Sequence, residues 1–125
     1  MHTAIEAIGQ IAIPVKDLSR AVKFYRDVLG LQFLFEAPPQ LAFFNCGGVR
    51  IMLDNPVDKE FASHSNILYF RTADITASYE AFRAGGAEFV DEPHLIAKMP
   101  DHDLWMTFFK DSEGNTLALM SEVRS

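Results

Sequence analysis

Gln10, Arg50, Arg71, Tyr69, Trp105, Glu122, His94 and His102 are the side chains whose types suit chemistry. Arg50 and Arg71 each carry a planar guanidinium that can receive a carboxylate or carbonyl through parallel donors. Either can equally reach water from a strand end or pair with Asp54 or Glu122. Gln10 offers an amide to a ligand's amide or carbonyl, or to a purely structural bond. Tyr69 and Trp105 present rings on which a planar ligand can stack, with core packing as the competing use. Glu122, Tyr69 and His102 are the groups capable of general acid–base work. Asp101-His102-Asp103 reads as a carboxylate-oriented base or an unorthodox metal clip, set against a reading as exposed loop residues. His94 shares that loop, where ligand contacts often occur. Cys46, the lone cysteine, excludes an internal disulfide and fits a reducing cytoplasm. No histidine lies near it in sequence, so a buried or turn-flanking thiol is favoured over a nucleophile.

The elements that must position these groups begin at Ile8–Leu31. Ile11, Ile13 and Val15 alternate with Gln10, Ala12 and Pro14, the period of a strand with two unlike faces. Asp17 can cap a helix whose apolar stripe is Leu18, Ala21, Val22, Tyr25, Val28 and Leu29. Gly30 can end it in the left-handed conformation. Leu31–Glu36 alternates with Leu31, Phe33 and Phe35 on one face, and Pro38-Pro39 breaks it. Leu41–Cys46, a Gly47-Gly48 turn and Val49–Asp54 predict a hairpin. Asn55–Ser65 reads as an exposed connection. The pattern then starts again: a strand at Asn66–Thr72, Asp74 as cap, a helix over Ile75–Ala84 and a Gly85-Gly86 stop. A strand at Ala87–Val90, a long loop over Asp91–Asp103, a strand at Leu104–Lys110, a turn and a last strand at Thr116–Glu122 follow.

The chain is therefore β-α-β-β-β twice, with Asp17 answering to Asp74 at an interval of 57 residues and Phe43 roughly to Phe109. The predicted class is α+β, with one module over 5–54, a linker over 55–65 and a second module over 66–122. Each module leaves one sheet face bare, and bare faces must meet each other or a partner chain's, which predicts a cupped mixed sheet with a hollow. With 125 residues the chain can build one core or two small modules. Net charge is −6 and Lys and Arg form no cluster, which argues against nucleic acid. No apolar stretch is long enough for a membrane span, and no secretory signal is visible. A cytoplasmic protein is the expectation.

IAIPVKDLSRAVKFYRDVLGL in the first half and FFKDSEGNTLALM in the second resemble the vicinal oxygen chelate superfamily of glyoxalases, bleomycin-resistance proteins and extradiol dioxygenases. The resemblance covers nearly the whole chain and specifies a fold rather than a reaction. It implies a divalent metal held by first- and fourth-strand residues of both modules. The first-strand ligand stands seven residues before the capping Asp, giving Gln10 and Ile67. The last-strand ligand stands four residues after the turn glycine, giving Met52 and Ala118. Isoleucine and alanine have no lone pair, a thioether suits soft ions, and Gln10 adds one neutral oxygen. The expectation is thus no metal and no other cofactor.

If Gln10 faces the hollow, so do Arg50, Met52, Asp54, Ile67, Tyr69, Arg71, Thr116, Ala118, Met120 and Glu122. The odd-offset Ile11, Ile13, Ile51, Leu53, Leu68, Phe70, Leu117 and Leu119 are uniformly apolar, as a helix-covered face requires. The predicted ligand site is Gln10, Arg50, Met52, Ile67, Tyr69, Trp105, Ala118, Met120 and Glu122. The resemblance implies a homodimer that binds a small molecule and sequesters it, as bleomycin-resistance proteins do. The negative charge suits a cationic or neutral ligand. The rival reading is a lyase or isomerase resembling glyoxalase I, with a non-standard metal or acid–base site.

Overall fold

The computed structural model describes residues 7–37, 39–55 and 66–124. The lead-in Met1–Glu6 and nearly all of the Asn55–Ser65 connection lie outside them. The chain divides into two compact units, Met1–Arg26 with Gly30–His64, and Asp27–Leu29 with Ser65–Ser125.

The first unit carries a four-stranded sheet in the order β1-β4-β3-β2. Its strands are β1 (Gln10–Pro14), β2 (Gln32–Ala37), β3 (Leu41–Cys46) and β4 (Val49–Asp54). β1 runs parallel to β4, and the other pairs are antiparallel. Gly47 and Gly48 join β3 to β4 at φ 58° and 93°, the left-handed pair that a two-residue hairpin turn demands. Between β1 and β2 lies α1 (Leu18–Lys23), capped by the Asp17 carboxylate on the Arg20 amide at 3.1 Å. The predicted helix continues to Leu29, but Phe24–Val28 winds into a wider π-helical turn. That extra residue per turn advances the phase. Phe24, outside the predicted stripe, is consequently buried beside Tyr25, while Val28 and Leu29 are half-buried. Ile13, Tyr25, Phe44 and Leu53 are fully buried, each contributing about 1.5–3 kcal/mol.

The second unit repeats the plan. β5 (Leu68–Arg71) is parallel to β9 (Thr116–Val123), which pairs antiparallel with β8 (Asp103–Lys110). α2 (Ile75–Ala84) occupies the predicted span, with Asp74 accepting from the Ala77 amide at 3.1 Å. The strand expected at Ala87–Val90 shortens to β6 (Glu88–Phe89). The expected loop at Asp91–Asp103 instead contains β7 (His94–Lys98). β6 and β7 both pair with β8, so together they form one interrupted edge. Asp91 bridges the interruption, its carboxylate accepting from the Thr107 hydroxyl at 2.7 Å and the Phe108 amide at 2.8 Å.

Register makes the internal repeat explicit. Met52 lies between Ala12 and Phe43, as Ala118 lies between Tyr69 and Phe108. Phe43 therefore answers to Phe108, and buried Phe44 answers to buried Phe109, one residue away from the pairing expected above. In β2 the register slips at Leu34: Phe33 opposes Phe44, whereas Phe35 opposes Phe43. Phe33 and Phe35 consequently point to opposite faces, because the bulge absorbs one residue of the alternation.

Candidate functional site: the open sheet faces

On each sheet the predicted split of faces is present. Ile13, Ile51, Leu53, Leu117 and Leu119 are buried at 2 % exposure or less. Gln10, Arg50, Tyr69 and Arg71 are exposed, and Met52, Asp54, Thr116, Met120 and Glu122 are half-buried. The two open faces are described separately.

On the first, the parallel pairing of β1 and β4 sets Gln10 beside Arg50. Arg50 Nε donates to Gln10 Oε1 at 2.9 Å, and the Arg50 guanidinium stands 5.5 Å from the Phe43 ring centroid. Gln10 Nε2 points at Met52 Sδ, 3.6 Å away. A polar row, Gln10-Arg50-Asn45-Gln32, thus runs across the sheet beside an apolar row, Ala12-Met52-Phe43-Phe35. Asn45 Nδ2 donates to Gln32 Oε1 at 3.2 Å, and the Phe35 and Phe43 rings pack 4.7 Å apart. Phe35 remains 48 % exposed. A guanidinium, three amides, a thioether and two rings can grip a flat, partly polar molecule. Asn45, Gln32, Phe43 and Phe35 were not among the predicted site residues. Asn45 and Phe43 join the face through β3's pairing with β4, and Phe35 through the bulge.

On the second open face, Tyr69 and Phe108 meet edge-on at 5.8 Å, one on each side of Ala118. Ala118 belongs to this face but is fully buried, so its methyl offers a ligand nothing directly. Ile67 precedes β5 and is 38 % exposed. Arg71, Met120, Met106 and His94 form the next row. Trp105 stands opposite Ser121, between Leu104 and Met106 along β8. Its register places it on the other face from Tyr69 and Met120, away from the open face where the sequence reading put it. His94 is a strand residue rather than a loop residue, with Nδ1 2.7 Å from the Glu92 carbonyl.

His102 Nδ1 sits 2.7 Å from Asp101 Oδ1, and Asp101 also meets Arg124 at 3.5 Å. The His102 hydrogen bond is the leading cause that holds the Asp101 carboxyl below its ordinary value. This contact lies beside a cavity lined by Met99–Asp103 and Val123. Cys46 is half-buried, and burial pushes its thiol up.

The positions aligned with the superfamily's metal ligands do not fit a divalent ion. Gln10 Oε1, the one hard donor among them, already accepts from a guanidinium, and a cation there would face Arg50's positive charge. Met52 offers sulfur, Ile67 no lone pair, and Ala118 is sealed beneath two rings. Among the described residues no three His, Cys, Asp or Glu side chains group to hold a metal elsewhere.

The tandem modules, their matched registers and the capped helices belong together in one family. Residues 7–119 match the Glyoxalase/Bleomycin resistance protein/Dioxygenase superfamily, and the chain is a member of it. Metallothiol transferase FosB of Staphylococcus haemolyticus is 27 % identical over 115 residues, covering 90 % of this chain and 65 % of its own length. The lactoylglutathione lyase of Agrobacterium tumefaciens superposes with a TM-score of 0.74 at 25 % identity, covering 95 % of this chain and 96 % of its own. TnmS3, an antibiotic binding protein from Streptomyces sp. CB03234, superposes with a TM-score of 0.78, covering 97 % of this chain and 99 % of its own. At 23 % identity that last likeness speaks to the fold. Among the described residues no helix is long and apolar enough to cross a membrane.

Proposed function

We propose that this protein is a metal-independent, small-molecule-binding member of the superfamily that sequesters a drug or hydrophobic metabolite. The observation that carries the reading is the Arg50–Gln10 bond, a cationic donor on the atom that a metal would need. Gln10, Arg50 and Met52 supply polar and polarisable contacts on the first sheet. Ile67, Tyr69, Met120 and Glu122 supply the corresponding contacts on the second. The bare faces favour a homodimer, and the lone half-buried thiol favours the cytoplasm. TnmS3, an antibiotic binding protein of the same fold, supports this reading.

A lyase or isomerase is the second reading, favoured by the His102–Asp101 contact and by the likeness to the lactoylglutathione lyase. Thermal unfolding separates the binding reading from a metal-dependent enzyme. A metal at a hundred times its dissociation constant adds about 2.7 kcal/mol. For a chain of 125 residues that corresponds to a rise of about 10 °C. The expected result is no rise with Ni²⁺, Zn²⁺, Mn²⁺ or Fe²⁺, and a rise with members of a panel of planar, uncharged or cationic drugs. Stoichiometric metal with a rise of that size overturns the binding reading in favour of the enzyme.

A further inference from the structure

The chain has 17 acidic residues against 11 Lys and Arg, so carboxylates to pair with arginine are in surplus. Arg71 nevertheless has neither an ion pair nor a side-chain hydrogen bond among the described residues. It lines a cavity of about 280 Å³ at the end of the second sheet's open face, together with Thr72, Ala73, Glu122 and Arg124. Glu122 is the one carboxylate of the described residues in that lining, and Arg124 already holds it at 3.0 Å. Arg124 turns also to Asp101, at 3.5 Å. Nearby Asp74 directs its carboxylate to the Ala77 amide, into the first turn of α2. Among the described residues the lining thus holds one paired arginine, one paired glutamate and one unpaired arginine, a charge of +1 in a chain of −6.

We propose that this cavity is a binding site for a small oxyanion, the carboxylate or phosphate of a metabolite, with Arg71 as its principal donor. A guanidinium fork matches two oxygens of either group. Arg124, paired with Glu122 and Asp101, adds a second guanidinium to the lining. The volume falls just below that of drug-sized pockets, roughly 300–1,000 Å³. It suits a small acid or the acidic end of a larger molecule. The site lies wholly within the second unit and does not rest on the first sheet's face, so its failure leaves the metal result untouched.

The test is titration of the whole, isotope-labelled protein with sodium benzoate and, separately, inorganic phosphate, at ionic strength matched with chloride. Saturable movement of the Arg71 Nε–H and Ala73 amide resonances is expected with at least one probe. Benzoate alone marks a carboxylate site, and phosphate alone a phosphate-ester site. Arg71→Met should weaken binding about tenfold or more, the loss of one charge-assisted pair. Arg71→Lys, which keeps the charge but not the fork, should fall between. Arg71 is exposed and its ladder bonds are backbone bonds, so an unchanged amide spectrum away from the cavity certifies the fold of each variant. No saturable shift with either probe overturns the proposal. So does equal movement with chloride, or undiminished binding in Arg71→Met.

Discussion

Replacing Asp111 tests whether the turn that aligns β8 with β9 is held by one buried carboxylate. Asp111 is 6 % exposed. Its Oδ1 accepts from the backbone amides of Glu113 and Asn115, both at 2.8 Å, and its Oδ2 from Asn115 Nδ2 at 2.9 Å. A hydrogen bond to a charged acceptor contributes about 1.5–3 kcal/mol. Asn115 is half-buried and its side chain can turn to water, so the two amide bonds dominate. Taken at the lower figure, Asp111→Ala should cost about 3 kcal/mol. Asp111→Asn keeps an oxygen for the two amides but sets an NH2 group against Asn115 Nδ2. Its cost should be about 1–2 kcal/mol. Urea unfolding followed by far-ultraviolet circular dichroism measures both, read from midpoints at constant m-value. A loss under about 1 kcal/mol for the alanine variant would mean water satisfies the turn. Equal losses for the two variants would mean that a neutral oxygen does not hold the amides and that the carboxylate charge is required.

Three further outcomes are expected. Gly48 has φ 93° with open space where a Cβ would stand, so Gly48→Ala should cost about 1–2 kcal/mol from backbone conformation alone. An unchanged urea midpoint would show that the hairpin relaxes freely. The Asp101 carboxyl lies below its ordinary value, chiefly through the His102 hydrogen bond. A lowered folded-state value means stability that is present above the unfolded carboxylate range and lost as pH falls through the folded value. A carboxyl-detected NMR titration should place its midpoint low, and His102→Ala should raise it; a midpoint that ignores the substitution contradicts the contact. Burial raises the Cys46 thiol, so iodoacetamide near pH 8 should alkylate it more slowly than it alkylates free glutathione.

What the sequence disclosed follows the range of the interaction involved. Both helix caps, the Gly47-Gly48 hairpin and the span of α2 depend on neighbours within a few residues, and each is found as read. Face assignment is also local, because alternation alone separates Leu117 and Leu119 from Met120 and Glu122. Register is not local. The bulge at Leu34 reverses Phe35 without any glycine or proline to announce it, since its cause is the pairing with β3. The slip at Ile96 likewise spoils the alternation of β7, so that strand reads as loop. Ala118 shares a face with Tyr69 in the sequence, but only the flanking registers bring the Tyr69 and Phe108 rings together over it.

The same distinction governs the functional argument. Alternation places Gln10 and Arg50 on one face, yet it leaves open whether Gln10 meets a ligand, a metal or another side chain. The parallel register of β1 on β4, across forty residues of chain, brings the two side chains into contact. A neutral amide oxygen can serve a weakly held cation; one that already accepts from a guanidinium is committed to an electropositive neighbour. Chemistry at Gln10 is therefore decided by its partner rather than by its residue type. Substituting Arg50 is consequently a sharper probe of metal exclusion than substituting Gln10. Arg50→Met removes the opposing charge and leaves the amide in place. If metal binding appears in that variant and not in the parent, Arg50 is what keeps the ion out. If it appears in neither, the missing ligands at Met52, Ile67 and Ala118 are sufficient by themselves.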